Sequence, residues 1–266
     1  MTVQIKLEHL QDGISVIRFA RPEARNAFTL DMVRELSVVL TAISNDAHCQ
    51  VLLLAAEGEV FCAGLDLKAA TQGIDAPQNA IEWMTLQNLY ADLIGQLRAL
   101  RQPVVAAIQG AVVGFGFGLA LAADVRVTST SVKFLIGAVK VGLSAGECGI
   151  SYHLPRLVGA GRAFEIMLTG RPVAAQEALD IGLSSTLVTD SELFATALAT
   201  ARAIAANSPY SIKHTKQVMW ANLNAPSLAS ALELENHVQV IGLMTNDFRE
   251  AAQAFAEKRA PEFSGK

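Results

Sequence analysis

Residues 104–123 run for twenty positions without one charged side chain, closed by Pro103 before and Asp124 after. Such a stretch must be hidden from water, either as a membrane helix or as elements inside a globular core. Gly110, Gly114 and Gly118 even repeat as GxxxG, a spacing used where membrane helices pack. Four glycines crowd the middle of the run, however, and Gln109 interrupts its first half. No Lys/Arg cluster flanks it closely. The remaining chain has the composition of a packed globular protein, with 52% hydrophobic and 17% charged residues. The better solution is a buried strand, Val104–Ile108, a glycine turn, and a buried helix over 117–123.

The rest of the chain supports a layered α/β reading. Residues 3–9 and 14–19 are β-like runs separated by Gln-Asp-Gly, a hairpin signal. Thr29 is placed to cap a helix whose Met32, Val33, Leu36, Val39, Leu40 and Ile43 recur at helical spacing. Val51–Ala56 is a continuous apolar run of strand length, as expected for a strand covered on both faces. Ile81, Met84, Leu89, Leu93 and Leu97 form a second helical stripe, and 125–128 reads as a strand. Residues 161–168 read as a helix, and Pro172 as the opening of another that Gly182 closes. From about Ser191 long Ala-rich helical segments follow, broken at Asn207-Ser208-Pro209. No low-complexity linker and no internal repeat is visible, so the helical part extends one domain.

Two glycine-broken apolar segments carry the chemistry. In FCAGLDL, 61–67, glycine permits a tight turn after the strand and leaves the N–H of Leu65 free of pairing. Taken alone, the segment reads better as an ordinary strand-to-helix turn capped by Asp66. In AVVGFGFGLALAAD, 111–124, a dinucleotide fingerprint fails in both registers, because Leu119 and Leu121 stand where a third Gly or Ala is needed. A phosphate-binding Gly-Lys-Ser/Thr is also absent. What remains is a glycine-rich entry to a helix, where free N–H groups and the positive end of the helix dipole face a small anion. Close helix packing through small residues is the competing account.

Six segments, in order, resemble the crotonase (enoyl-CoA hydratase/isomerase) superfamily over nearly the whole chain. They are ARPEARNAF (20–28), FCAGLDLK (61–68), QPVVAAIQGAVVGFGFGLALAAD (102–124), LPRLVGAGRAFEIMLTGR (154–171), AQEALDIGL (175–183) and AFAEKRAPEF (254–263). The resemblance implies an α/β spiral of about four ββα units over 1–190 that holds an acyl-CoA site. It implies a C-terminal helical trimerisation region over 191–266, and a homotrimer or dimer of trimers. It further implies that a thioester carbonyl sits between two backbone N–H donors, which here are Leu65 and Phe115. The family usually has glycine at the second position, so the phenylalanine side chain must find room. By the same resemblance Arg25, Ala27, Ala63, Asp66, Leu67 and Lys68 lie along the coenzyme A path. Lys258 reaches a phosphate, of its own or a neighbouring subunit. Solvated surface charge is the competing account of Arg25, Lys68 and Lys258. Coenzyme A enters as part of the substrate; no separate cofactor and no metal site is expected.

The acid–base residues depart from the hydratase pattern. The two glutamates that hydratases use correspond here to Gly118 and Ala138, so water addition between two carboxylates does not transfer. Glu147, in VGLSAGECGISYHLPR, matches the place where other branches carry an acidic residue at a helix start. A partly buried carboxyl there would have a raised pKa suited to proton transfer, while a Glu that merely favours the helix dipole is the alternative. Ser151 shares its predicted helix face at i+4, whereas Tyr152 and His153 project elsewhere. Trp83 and Met84 fit an acyl pocket or the core. No GxSxG elbow supports a Ser–His hydrolase. One carboxylate suits double-bond migration better than hydration. Loss of both hydratase glutamates also allows a different class, an acyl-CoA-binding protein without catalysis.

The surroundings expected of such a protein are ordinary. Cys49, Cys62 and Cys148 form no CxxC pair and are odd in number, which argues for reduced thiols. The first residues lack a signal-like apolar region. A net charge of −4 gives no general attraction to nucleic acid or anionic lipid. A cytoplasmic enzyme with a small-molecule acyl-CoA substrate is the expectation.

Overall fold

The computed structural model describes residues 3–73 and 76–266. β1 (Ile5–His9) and β2 (Ile14–Phe19) form the expected antiparallel hairpin. Beyond them β3 (Val51–Ala56), β4 (Val104–Ile108), β6 (Val125–Ser129) and β9 (Thr186–Val188) add in parallel, in the order β1-β2-β3-β4-β6-β9. A second, smaller sheet is made of β5 (Ala111–Val113), β7 (Lys133–Leu135) and β8 (Val173–Ala174). The short strands of the small sheet escape sequence reading because two or three residues carry no period. β8 also corrects the expectation that Pro172 opens a helix. The chain pairs with β7 first, and helix α7 (Ala175–Asp180) begins three residues after the proline.

Four successive turns share one plan: a strand in the large sheet, an extended segment in the plane of the small one, then helix. β2 is followed by Phe28 and α1 (Leu30–Asn45), and β3 by Cys62 to Leu65 with α2 (Leu67–Gln72) and α3 (Ala80–Ala99). β4 is followed by β5 and α4 (Phe115–Ala122), and β6 by β7 with α5 (Ile150–Val158) and α6 (Ala160–Thr169). Single bridges continue the small sheet outward, Cys62 to Val112 and Phe28 to Leu65. The architectural repeat has no counterpart in repeated sequence, because each turn packs different partners. This is the α/β spiral that the six segments led us to expect.

The uncharged run 104–123 resolves into β4, β5 and α4 rather than one helix, and every residue of α4 is buried. No described helix is long and apolar enough to cross a membrane. The main core lies on one face of the large sheet, where α1 contributes Met32, Val33, Leu36, Leu40 and Ile43. Thr29 caps α1 as expected, its Oγ1 accepting from Met32 N at 3.3 Å. Helix α8 (Leu193–Ala205) covers the opposite face with Leu193, Ala197 and Ala201 against Val16, Leu53, Val105 and Val127. The buried side of α3 is Tyr90, Leu93, Ile94 and Leu97. Ile81 and Met84, read as part of that stripe, are exposed, because the first turns of α3 extend beyond the core.

Three helices complete the chain: α9 (Pro209–Asn222), α10 (Leu228–Leu243) and α11 (Asn246–Glu257). The expected break at 207–209 separates α8 from α9, with Pro209 in the first helical turn. α9 docks through a buried knot around Asp124, which accepts from Trp220 Nε1 at 2.6 Å and pairs with Lys216 Nζ at 2.8 Å. α10 buries none of its residues in the single chain.

Candidate active site

The two glycine-broken segments meet. A Cβ on Gly64 would stand 2.9 Å from Val113 O and 3.9 Å from Phe115 N. Gly64 and Gly114 both have positive φ, 90° and 49°, conformations that side chains resist, so glycine is required at each. The abrupt turn at Gly114 starts α4 at Phe115, two residues earlier than the sequence suggested. Phe115 is therefore the first helical residue, with an N–H that no intrahelical carbonyl can reach.

Leu65 is free for a different reason. Its bridge to Phe28 is made by its neighbours: Phe28 N–H donates to Gly64 O at 2.8 Å, and Asp66 N–H to Phe28 O at 2.9 Å. The N–H of Leu65 itself points out of the pairing. Among the described residues neither it nor the N–H of Phe115 has an acceptor. Two unsatisfied donors on adjoining loops, one at the positive end of a helix, can hold a single oxyanion.

Glu147 overlooks the same place. A Cβ on Gly114 would lie 3.1 Å from its Oε1. The carboxylate is half-buried and has no hydrogen bond or ion pair among the described residues. Burial pushes its pKa up, with no charge opposing the shift. The reading that placed it on one helix with Ser151, Tyr152 and His153 is corrected. Gly149 adopts φ 74° and α5 starts only at Ile150, so Glu147 sits in the preceding loop. Ser151 makes no hydrogen bond to it among the described residues. His153 is buried against Tyr152 and Trp220, with centroids 5.0 and 5.8 Å away, and burial pushes its pKa down to about 4.

Phe115 finds its room in the core. Its ring meets Phe28 and Tyr90 edge-on at 5.0 and 4.9 Å. The positions aligned with the hydratase glutamates are closed. A Cβ on Gly118 would lie 2.5 Å from Cys148 O, and Ala138 is buried in a 3-10 turn after β7. All three cysteines are unpaired and buried.

The residues placed on the coenzyme A path divide into two groups. Arg25 O accepts from Ala63 N–H at 3.0 Å, so the 25–27 turn lies directly beside the 63–65 segment. Arg25, Leu67 and Lys68 are exposed there, and Ala27 and Ala63 are partly so. Asp66 is already engaged: it caps α2 through Ala69 N–H at 3.0 Å and pairs with Arg21 at 2.7 Å. Burial would raise its pKa, but Ala69 N–H and the Arg21 guanidinium outweigh burial and hold it below the usual carboxylate range. Lys258 ends α11 in the left-handed region, exposed and without a bond to these loops among the described residues. Trp83 and Met84 are exposed on α3 and belong to neither core nor a described cavity. A cavity of about 270 Å³ does open behind the loop, lined by Phe28, Leu65, Asp66, Ala70, Leu86 and Tyr90.

Sequence reasoning passed over Arg21, Asn26 and Tyr90. Asn26 is fully buried, its Nδ2 donating to Glu57 O and Val60 O at 2.9 and 2.7 Å. Its signal was a polar residue flanked by Arg25 and Ala27, which solvent could equally explain. Tyr90 was legible, since 90, 93, 94 and 97 is a better helical face than the stripe chosen.

The sequence matches the enoyl-CoA hydratase/isomerase family model over residues 9–266. It is 40% identical over 266 residues to the "Probable enoyl-CoA hydratase EchA12" of Mycobacterium tuberculosis, covering 98% of this chain and 92% of that protein. It is 32% identical over 260 residues to the 1,2-epoxyphenylacetyl-CoA isomerase of Escherichia coli, covering 98% of both. The crystal structure of an enoyl-CoA hydratase from Bacillus anthracis superposes with a TM-score of 0.94 at 31% identity, covering 99% of this chain and 100% of that one.

Proposed function

The chain belongs to the enoyl-CoA hydratase/isomerase family and is an enzyme of it, and from that premise we propose that it moves a proton at the carbon next to an acyl-CoA thioester. The observation carrying this reading is the meeting of three groups: the unpaired N–H of Leu65, the unpaired N–H of Phe115, and the partnerless carboxylate of Glu147 over Gly114. Glu147 takes the proton from the α-carbon, and the charge flows onto the thioester oxygen between the two N–H groups. Each donor lowers the barrier by about 2.7–4 kcal/mol. The same carboxylic acid returns the proton at the γ-carbon, which moves the double bond without net change in composition.

Isomerisation is favoured over hydration because among the described residues a single unpaired carboxylate faces the site and Gly118 leaves no space for a second. Coenzyme A is part of the substrate, and no separate cofactor takes part. Its path runs past Arg25, Ala27, Ala63, Leu67 and Lys68. Asp66 acts there through the loop it caps. Lys258 serves the site of a neighbouring subunit, since among the described residues no bond ties it to its own. A homotrimer or dimer of trimers brings those subunits together, and the cytoplasm suits the three unpaired cysteines.

Exchange of α-protons of butyryl-CoA in D₂O, followed by NMR, tests the reading. Wild-type protein catalyses the exchange and Glu147→Gln slows it by about 10²-fold. Binding of butyryl-CoA without exchange in wild type would instead make the chain a thioester-binding protein that has lost catalysis.

A further inference from the structure

A closed path of contacts joins the two N–H donors through the rings of Phe115, Tyr90 and Phe28 and the Phe28 main chain. It starts at Phe115, whose ring is 3% exposed and packs edge-on against Phe28 at 5.0 Å and Tyr90 at 4.9 Å. Tyr90 donates its hydroxyl to Phe28 O at 2.7 Å. Phe28 then grips both neighbours of Leu65, donating to Gly64 O at 2.8 Å and accepting from Asp66 N–H at 2.9 Å. Phe19 wedges the other side of the Phe28 ring, with centroids 5.1 Å apart.

The path matters because the main-chain bonds between the two loops stop short of the donors themselves. Between the segment 61–65 and the chain entering α4, main-chain hydrogen bonds run from Phe61 N–H to Gln109 O at 2.9 Å, Cys62 N–H to Ala111 O at 3.3 Å and Val113 N–H to Cys62 O at 2.9 Å, and among the described residues none lies beyond Cys62 and Val113. Bonds that end at Cys62 and Val113 do not fix the peptide planes of Leu65 and Phe115, whereas paired donors must stay within about 0.5 Å of their working positions. An edge-to-face aromatic trio is directional and resists sliding. The Tyr90 hydroxyl adds a fixed length between α3 and the Phe28 carbonyl. Without it that carbonyl keeps, among the described residues, only Asp66 N–H.

We propose that Tyr90 and the Phe115 ring are positioning residues that set the spacing and angle of the Leu65 and Phe115 N–H groups. The inference rests on the reading of those groups as donors to a thioester oxygen. The Phe115 ring is buried and the Tyr90 hydroxyl is spent on Phe28 O, so both act through the main chain that carries the donors. Phe115 has two separate roles, a main-chain donor that no substitution by another L-residue other than proline removes, and a ring that can be deleted alone.

The test uses butyryl-CoA carrying ¹³C at the thioester carbonyl, with its stretching frequency read by difference infrared spectroscopy on the full-length protein. Two converging donors lower that frequency relative to the ligand in water. Tyr90→Phe is expected to lose part of the shift and about tenfold in α-proton exchange rate, with affinity for free coenzyme A unchanged. Phe115→Ala is expected to lose more of the shift and about 10²-fold in rate. A purely structural role would lower the melting temperature and leave the carbonyl frequency alone. If Phe115→Ala fails to fold, Tyr90→Phe, which removes one oxygen, decides the matter. A full wild-type shift retained in the folded variants would overturn the positioning role while leaving the donors in place. No shift in the wild type would remove the donor reading, and the positioning role with it.

Discussion

At the scale of single residues the account turns on Glu147, whose carboxylate is held partly out of water with nothing to compensate it. Because burial raises its pKa, the base form appears only above a value higher than the 4.5 of a free glutamate. kcat/KM is therefore expected to climb with pH through that raised value, and a pH–rate profile of Glu147→Gln should lack the limb. The same shift has a thermodynamic consequence. The folded state binds this proton more tightly than the unfolded chain, so stability falls as pH rises from 4.5 through the folded value. Glu147→Gln should thus melt higher than wild type at pH 7, with the gap closing as the buffer falls below about pH 4.5. A variant that loses turnover and gains stability is the signature of a group kept for chemistry. A helix-dipole role would give the opposite sign.

At the scale of elements, the loops are held by the ends of helices. Asp66 caps α2 and binds Arg21, so Asp66→Ala is expected to cost about 1–2 kcal/mol at neutral pH in thermal melts. Its depressed pKa means this contribution is present above 3.8 and fades as pH falls through the lower folded value. Gly118 sets the opposite limit. Installing a hydratase-like carboxylate as Gly118→Glu should cost about 1–3 kcal/mol and bring no water addition, because its Cβ would meet Cys148 O at 2.5 Å. How far the sequence could be read follows the same physics. Long strands and helices were legible because burial on a fixed period leaves a pattern, as in Val51–Ala56 and at Thr29. That the loops carrying Leu65 and Phe115 adjoin was legible only through motif resemblance, since no local rule brings residues fifty positions apart together. The strands β5, β7 and β8 were too short to show alternation. The position of Glu147 ahead of α5 hinged on the positive φ of Gly149, which neighbouring Gly142 and Gly146 disguised.

At the scale of the whole molecule, the last three helices carry a broad exposed apolar surface in the single chain. Leu228, Val240, Leu243, Met244 and Phe255 all stand more than half exposed, an apolar surface that self-association would cover. Light scattering on a sizing column should give three or six times 28.3 kDa, and Val240→Asp with Leu243→Asp should reduce it toward one. A wild-type monomer would contradict the assembly and the assignment of Lys258 to a neighbour. The central claim needs a direct view: a crystal structure of the protein with a bound acyl-CoA. The thioester oxygen is expected within about 2.7–3.1 Å of both Leu65 N and Phe115 N, with the Glu147 carboxylate facing the α-carbon. A thioester oxygen bound by one of these nitrogens or by neither would contradict it.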